Sequence, residues 1–403
     1  MAENGNLPAL RPLDVTAYRA SNNELYFSMH DLSQIAPEPV AISLPGYFVV
    51  AMLDGSHSCR EIQEAFETEF GRPIAASEIE GVVASLDKAL LLNTGRFEQV
   101  YAEKRDVYLA ADARDNRRRW PAADTLRIEI DEMLSRGSAA DASSLSGFVA
   151  PHLDYARGGP CYADSYTTLR ASDVSDVDRF VILGTNHFGR STSVVATGRN
   201  FLTPFGEVPA DRPFIEAIEA RLGESIRTHE FDHESEHSIE LHVHLLQAVL
   251  GDQQFEIVPV LCPDPSGPTG TRPIDGQGPD LDDFADALRD LLIETDRRTI
   301  VIASADLSHV GQRFGEPERT NKAFMSRVAQ SDQQLLDMLQ QRRERDFVQA
   351  VRATENATRI CSVGCLYTML RALPDRACRL LKYHQAIDFK NETHVTCASA
   401  VVE

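Results

Sequence analysis

Four segments of this chain place histidine beside acids and amides. They read Pro151-His152-Leu153-Asp154-Tyr155, Gly184-Thr185-Asn186-His187, Glu236-His237-Ser238-Ile239-Glu240-Leu241-His242 and Ser304-Ala305-Asp306-Leu307-Ser308-His309. Imidazole is a common metal ligand and the side chain that most readily moves protons near neutral pH. Imidazoles with an oxygen donor can hold a divalent metal, and a further histidine can serve as acid or base. The bland alternative is a set of ordinary buried histidines. Four such segments from separate parts of one domain favour a shared polar pocket.

Three of the segments directly follow apolar, β-type runs: Ser146–Ala150, Phe180–Leu183 and Thr299–Ala303. In an open α/β sheet, ligands bind beyond the carboxyl ends of the strands, so these histidines are expected to converge there. Further strands are expected at Ile257–Leu261 and Val395–Val402. Helices are expected over Asp211–Arg221, Ser238–Leu250, Leu281–Thr295, Asn321–Leu339 and Cys361–Leu373. This alternation predicts an α/β domain over 140–403, a central mixed sheet with helices on both faces. The Gly/Pro-rich stretch Pro263–Pro279 reads as a surface loop or lid.

His233-Glu234-Ser235-Glu236-His237 is a literal H-E-x-x-H, the spacing of a zinc protease helix. Its neighbours are densely acidic, and Glu240 and Val243 stand where a metzincin extension needs glycine and histidine. The stretch reads better as a loop entering a helix near Ser238.

Residues 1–101 read as a separate small domain. Ser58 and Glu61 form a capping-box pattern before Ile62, Ala65, Phe66 and Phe70. A second helix follows with Ile79, Val82, Val83, Leu86 and Leu90 on one face. Leu90–Asn93 and Phe97–Tyr101, around Gly95, are expected as two strands of a wing, which gives a winged-helix outline. Residues 102–139 read as a polar linker with a connecting helix, in which Arg117-Arg118-Arg119 is a solvated face.

The formal net charge is −21, which argues against binding nucleic acid or anionic membranes through a general basic surface. No apolar run reaches the roughly 18 to 20 residues that span a bilayer, and the first residues lack a signal-peptide core. The expected location is the cytoplasm. Seven cysteines without paired spacing suggest buried reduced thiols, Cys361 and Cys365 included.

These segments together resemble the Memo family, including AmmeMemoRadiSam system protein B. The resemblance covers about 140–403 and adds Gly158-Gly159, Thr203-Pro204-Phe205-Gly206, Ile257-Val258-Pro259-Val260 and Arg359-Ile360-Cys361 to the motifs above. It implies a fold like class III extradiol dioxygenases, which are non-heme iron enzymes. Carried over residue by residue, it implies His152 and His187 as metal ligands and His237 as acid/base. Asp306 and His309 are expected to act with His237, and Asp154, Asn186, Glu240 and Ser308 to complete the cleft. Ser308 falls where animal Memo proteins carry a cysteine, which puts a sulfur donor in doubt. The expected cofactor is a divalent metal, Fe(II) foremost, with copper or zinc as alternatives. The system name implies a radical SAM partner and an AMMECR1-domain partner. Leu53-Asp54-Gly55, Glu61-Ile62, Phe66 and Leu86 resemble PqqD-like modules, which implies a peptide ligand for the N-terminal domain. Two readings therefore stand: a metal-dependent oxygenase-like enzyme, or a non-catalytic scaffold with a vestigial cleft.

Overall fold

The computed structural model describes residues 5–21, 23–142 and 144–403. The chain divides into two compact units, Met1–Ala110 and Ala111–Glu403.

In the first unit, β1 (Asp14–Arg19), β2 (Leu25–His30) and β3 (Val40–Ser43) form an antiparallel sheet in that order. The helices α1 (Leu44–Ala51), α2 (Cys59–Phe70), α3 (Ala76–Lys88) and α4 (Gly95–Ala110) follow. The capping box at α2 is formed as its sequence suggests, and Gly71 in the left-handed region ends that helix. The buried faces carry Ile62 and Phe66 of α2 against Ile79 and Leu86 of α3.

The expected wing is not built. Phe97–Tyr101 lies inside α4, because Thr94 caps that helix: its hydroxyl accepts from the Phe97 amide and its carbonyl from Glu98. Leu92 instead pairs with Leu10 in an antiparallel bridge. The connecting helix expected in 102–139 is present, and the polar stretch before it is structured as well. After α4 come β4 (Ala113–Asp115), a 3-10 turn at Arg117–Arg119, and α5 (Ala123–Leu134).

The second unit continues with β5 (Gly147–Ala150), α6 (Tyr155–Ala171), β6 (Val177–Thr185), β7 (Val195–Ala196), β8 (Asn200–Thr203) and β9 (Gly206–Val208). Then come α7 (Arg212–Leu222), α8 (Glu240–Leu250), β10 (Glu256–Cys262), α9 (Leu281–Glu294), β11 (Arg298–Ser304) and β12 (Asp306–Val310). The chain closes with α10 (Lys322–Gln340), α11 (Glu344–Ala353), α12 (Val363–Ala372), β13 (Cys378–Asp388) and β14 (Thr393–Val402).

Its main sheet runs β12-β14-β5-β11-β6-β10-β7, with β13 also on β14. β5, β11, β6 and β10 are mutually parallel, and the flanking strands are antiparallel. This is a mixed sheet with helices on both faces. Alternate residues of one strand feed two cores: Val181 and Leu183 pack with α7 and α9–α12, while Phe180 and Ile182 pack with α5, α6 and α8. Burial on both faces explains why these strands read as unbroken apolar runs. The register aligns Ser304 with Ala150 and Ala303 with Leu183, so the chain leaves β5, β6 and β11 at one edge.

The Pro263–Pro279 stretch is a loop pinned at both ends. Arg352 donates to the Pro265 and Ser266 carbonyls, and Thr192 bonds Asp275 and the Ile274 amide. Among the described residues, no helix is long and apolar enough to cross a membrane.

Candidate metal centre

The turn after β5 delivers His152, the turn after β6 delivers His187, and the loop before α8 delivers His237. Their rings form one cluster. His152 lies edge-on to His187 at 5.0 Å and to His237 at 5.8 Å, and His187 stacks on His237 at 5.2 Å. Cys361, just before α12, completes it: its Sγ is 3.2 Å from His152 Nε2. Donor atoms of His152, His187 and Cys361 all lie within 4.8 Å of one another.

The outer partners fix which ring nitrogen faces inward. His152 Nδ1 donates to the Ser304 carbonyl at 3.1 Å, which leaves the Nε2 lone pair aimed at Cys361. His187 Nδ1 is 3.1 Å from Glu236 Oε1. A ring nitrogen held by an outer hydrogen-bond partner on each imidazole is how metal-bound histidines are oriented. Ligands of one ion with bonds of about 2.0–2.3 Å stand about 3.3–3.8 Å apart; here Sγ and His152 Nε2 are 3.2 Å apart and no pair of the three donors exceeds 4.8 Å.

A second group, His187, Glu236 and His237, is also close enough to share an ion. Its carboxylate is already committed. Glu236 accepts from the amides of His187, His237 and Ser238 at 2.8–2.9 Å, besides the His187 ring. It acts as the orienter of His187, not as a free ligand. Burial raises the cost of charge on Glu236, yet His187 and these donors hold it well below the usual carboxylate range. Burial likewise opposes a charged His187, but the Glu236 carboxylate outweighs it and raises the imidazole well above its ordinary value. Burial, reinforced by the neighbouring imidazoles, keeps His152 neutral, well below the histidine range. Burial pushes the Cys361 thiol up, so the metal-free site holds it protonated.

Asp306 binds the back of the site. Its Oδ1 accepts from the amides of His152 (3.1 Å) and Leu153 (3.3 Å), and Oδ2 stands 3.6 Å from His152 Nε2. Burial pushes it up to about 7. His309 contributes a neutral ring: Nδ1 donates to the carbonyls of Leu307 and Arg359, and burial pushes it down to about 4. His237 has 43% of its side-chain surface open, the most exposed imidazole of the cluster that touches His187 and His152.

Other expected site residues lie elsewhere. Ser308 is buried and donates to Asp332 of α10 at 2.6 Å, so it does not occupy a ligand position. The thiol that stands beside the imidazoles is that of Cys361. Asp154 is exposed, caps α6 and pairs with Arg157 at 2.6 Å. Glu240 forms a buried ion pair with Arg114. Asn186 supports its own turn, donating to Asp232 and accepting from the Gly189 amide. The H-E-x-x-H is not one helix face: His233 ends a 3-10 turn and bonds the Val195 carbonyl, far in role from His237.

Sequence reading missed Glu236, Cys361, Ser304 and Asp232. Asp232 accepts from the Arg190 and Ser191 amides and so ties down the turn that bears His187. Cys361 stood in a motif already noted, without a histidine near it in sequence to mark it as a ligand.

A family model described as Memo, Memo-like protein, matches residues 121–401. The chain is 22% identical over 380 residues to a MEMO1 family protein of Aquifex aeolicus, a match that covers 91% of this chain and 95% of that protein. It is 28% identical over 265 residues to one of Methanocaldococcus jannaschii, covering 64% of this chain and 83% of the relative. It is 31% identical over 192 residues to one of Methanopyrus kandleri, covering 47% of this chain and 62% of the relative. With most of its length inside the family model, this chain belongs to the Memo-like protein family.

Proposed function

We propose that this protein is a metal-dependent, oxygenase-like enzyme whose ion, Fe(II) foremost, is held by His152, His187 and Cys361. The observation that carries the reading is the convergence of two orientation-fixed imidazoles and a thiol within 4.8 Å. Imidazole with thiolate suits iron, copper or zinc over magnesium or calcium. Such an ion supplies Lewis acidity and, for iron or copper, one-electron chemistry. The chain's own groups supply the rest. Glu236 and Ser304 hold the two imidazoles, Asp306 anchors the turn after β5, and the partly open His237 carries a proton to or from a bound molecule.

The test is metal content of anaerobically purified full-length protein, wild type beside His187→Ala and Cys361→Ala. Near-stoichiometric iron in the wild type, lost in both variants, is the expected result. Negligible metal after Fe(II) or Zn(II) is added back would sink the enzyme reading in favour of the scaffold. A role beside a radical SAM protein, with the N-terminal unit recruiting a peptide, rests on the family resemblance. Co-purification with such a partner, abolished by changes in residues 5–110, would support it.

A further inference from the structure

We infer that Arg114 is a positioning residue for this centre. It acts through Glu236, from a strand that precedes the family-matched region 121–401. β4 pairs in parallel with β8, Arg114 opposite Phe201, and the side chain is only 1% exposed. Its Nε donates to the His233 carbonyl at 2.7 Å. Its Nη2 donates to the Glu236 carbonyl at 2.6 Å and to Glu240 Oε2 at 3.0 Å. Two residues on, Asn116 donates to the Glu234 carbonyl at 3.0 Å. One short segment therefore grips the backbone from the end of the 3-10 turn at His233 through Glu234 and Glu236, ahead of α8.

The loop's other side faces the cluster. The carboxylate of the same Glu236 receives the amides of His187, His237 and Ser238 and the His187 ring. A rigid chain thus runs from the guanidinium through the Glu236 backbone to its carboxylate and on to His187. The three acceptors around Arg114 need the planar fork of a guanidinium, which a lysine ammonium cannot reproduce from one point. The charge itself is matched by Glu240, so a lysine still neutralises that carboxylate while losing most of the grip. Partners that orient a ligating histidine typically carry 10–100-fold in metal affinity.

The metal arm of this inference rests on the reading of His152, His187 and Cys361 as ligands; the structural arm does not. The experiment uses full-length protein as wild type, Arg114→Lys, Arg114→Gln and Leu335→Ala, the last a core truncation on the opposite face of the sheet. Amide exchange is followed in metal-free protein at His187, His237 and Ser238, and Co(II) affinity is titrated alongside. Faster exchange at those three amides by tenfold or more in the Arg114 variants is the expected result, with Co(II) bound about 10–100-fold more weakly. Leu335→Ala is expected to melt earlier yet keep both. Should Arg114→Gln fail to fold, Arg114→Lys decides. Unchanged exchange at the three amides in a folded Arg114 variant, or an equal change in Leu335→Ala, would overturn the inference. A wild type that binds no Co(II) but shows the exchange difference removes the metal reading and keeps Arg114 as the residue that positions the loop.

Discussion

Cys361 is the residue on which the choice of chemistry turns. Its thiol is the soft donor of the cluster, and burial holds it protonated until a metal displaces the proton. Cys361→Ser keeps a side chain of similar size and removes the thiolate. Co(II)-loaded protein is expected to lose its sulfur charge-transfer absorption and to bind the ion at least about tenfold more weakly. An unchanged spectrum would mean that Cys361 is a neighbour of the metal and not a ligand. Gly189 matters for a different reason. A Cβ there would overlap Asn186 Oδ1 and the Asp232 carboxylate, the groups that fix the turn bearing His187. Gly189→Ala is expected to cost about 1–3 kcal/mol by overpacking and to weaken metal binding. Chemical denaturation beside a metal titration measures both.

Among the elements, the β-strands and the helix N-termini do the positioning. α12 must approach the end of β10 closely enough to set Cys361 near His152. Gly364, in its first turn, permits this: a methyl group would overlap the Pro263 carbonyl and come within 3.2 Å of Cys262 Cβ. Gly364→Ala is expected to destabilise the fold by about 1–3 kcal/mol and to displace Cys361, seen as a lower denaturant midpoint with reduced metal content. The strands around the site were legible because burial on both faces left plain apolar runs such as Val181-Ile182-Leu183. α6 was not legible. No helix is expected there, yet α6 runs through Gly158-Gly159-Pro160 with Pro160 inside it, and a Cβ at Gly159 would come within 3.3 Å of Met133 Cγ. Tertiary packing overrides local propensity there. The wing failed for the opposite reason, because the Thr94 cap outweighed the turn signal of Gly95. The histidines of the cleft announced themselves by type and by strand-end position. Glu236 and Arg114 did not, because their roles are made by backbone contacts that no spacing reveals.

At the scale of the molecule, the buried histidines make stability depend on pH. Burial pushes His233 and His242 down to about 3 and His244 and His309 down to about 4. In the unfolded chain each returns to about 6.5. Near pH 5.5 the unfolded chain therefore binds protons that the native state refuses, and stability falls as pH falls below about 6.5. Asp306, pushed up to about 7, works in the opposite sense, since the native state keeps its proton where the unfolded chain has lost it. His187, raised above its ordinary value, is protonated in both states near pH 5.5 and drops out. His152 and His237, also lowered by burial, add to the histidine sense, and Asp332 and Glu234, raised by burial, add to that of Asp306; the lowered histidines outnumber the raised carboxyls, so a net rise in stability from pH 5 to pH 6 is expected. Denaturation of metal-free protein across that window measures the slope. His242→Asn is expected to lower the slope by up to about 1.4 kcal/mol per pH unit, the share of one proton, whatever it does to stability at pH 7. A slope that is flat, or that survives His242→Asn unchanged, would mean that these imidazoles take up protons in the native state and that the α8 side of the core is wetter than its packing implies.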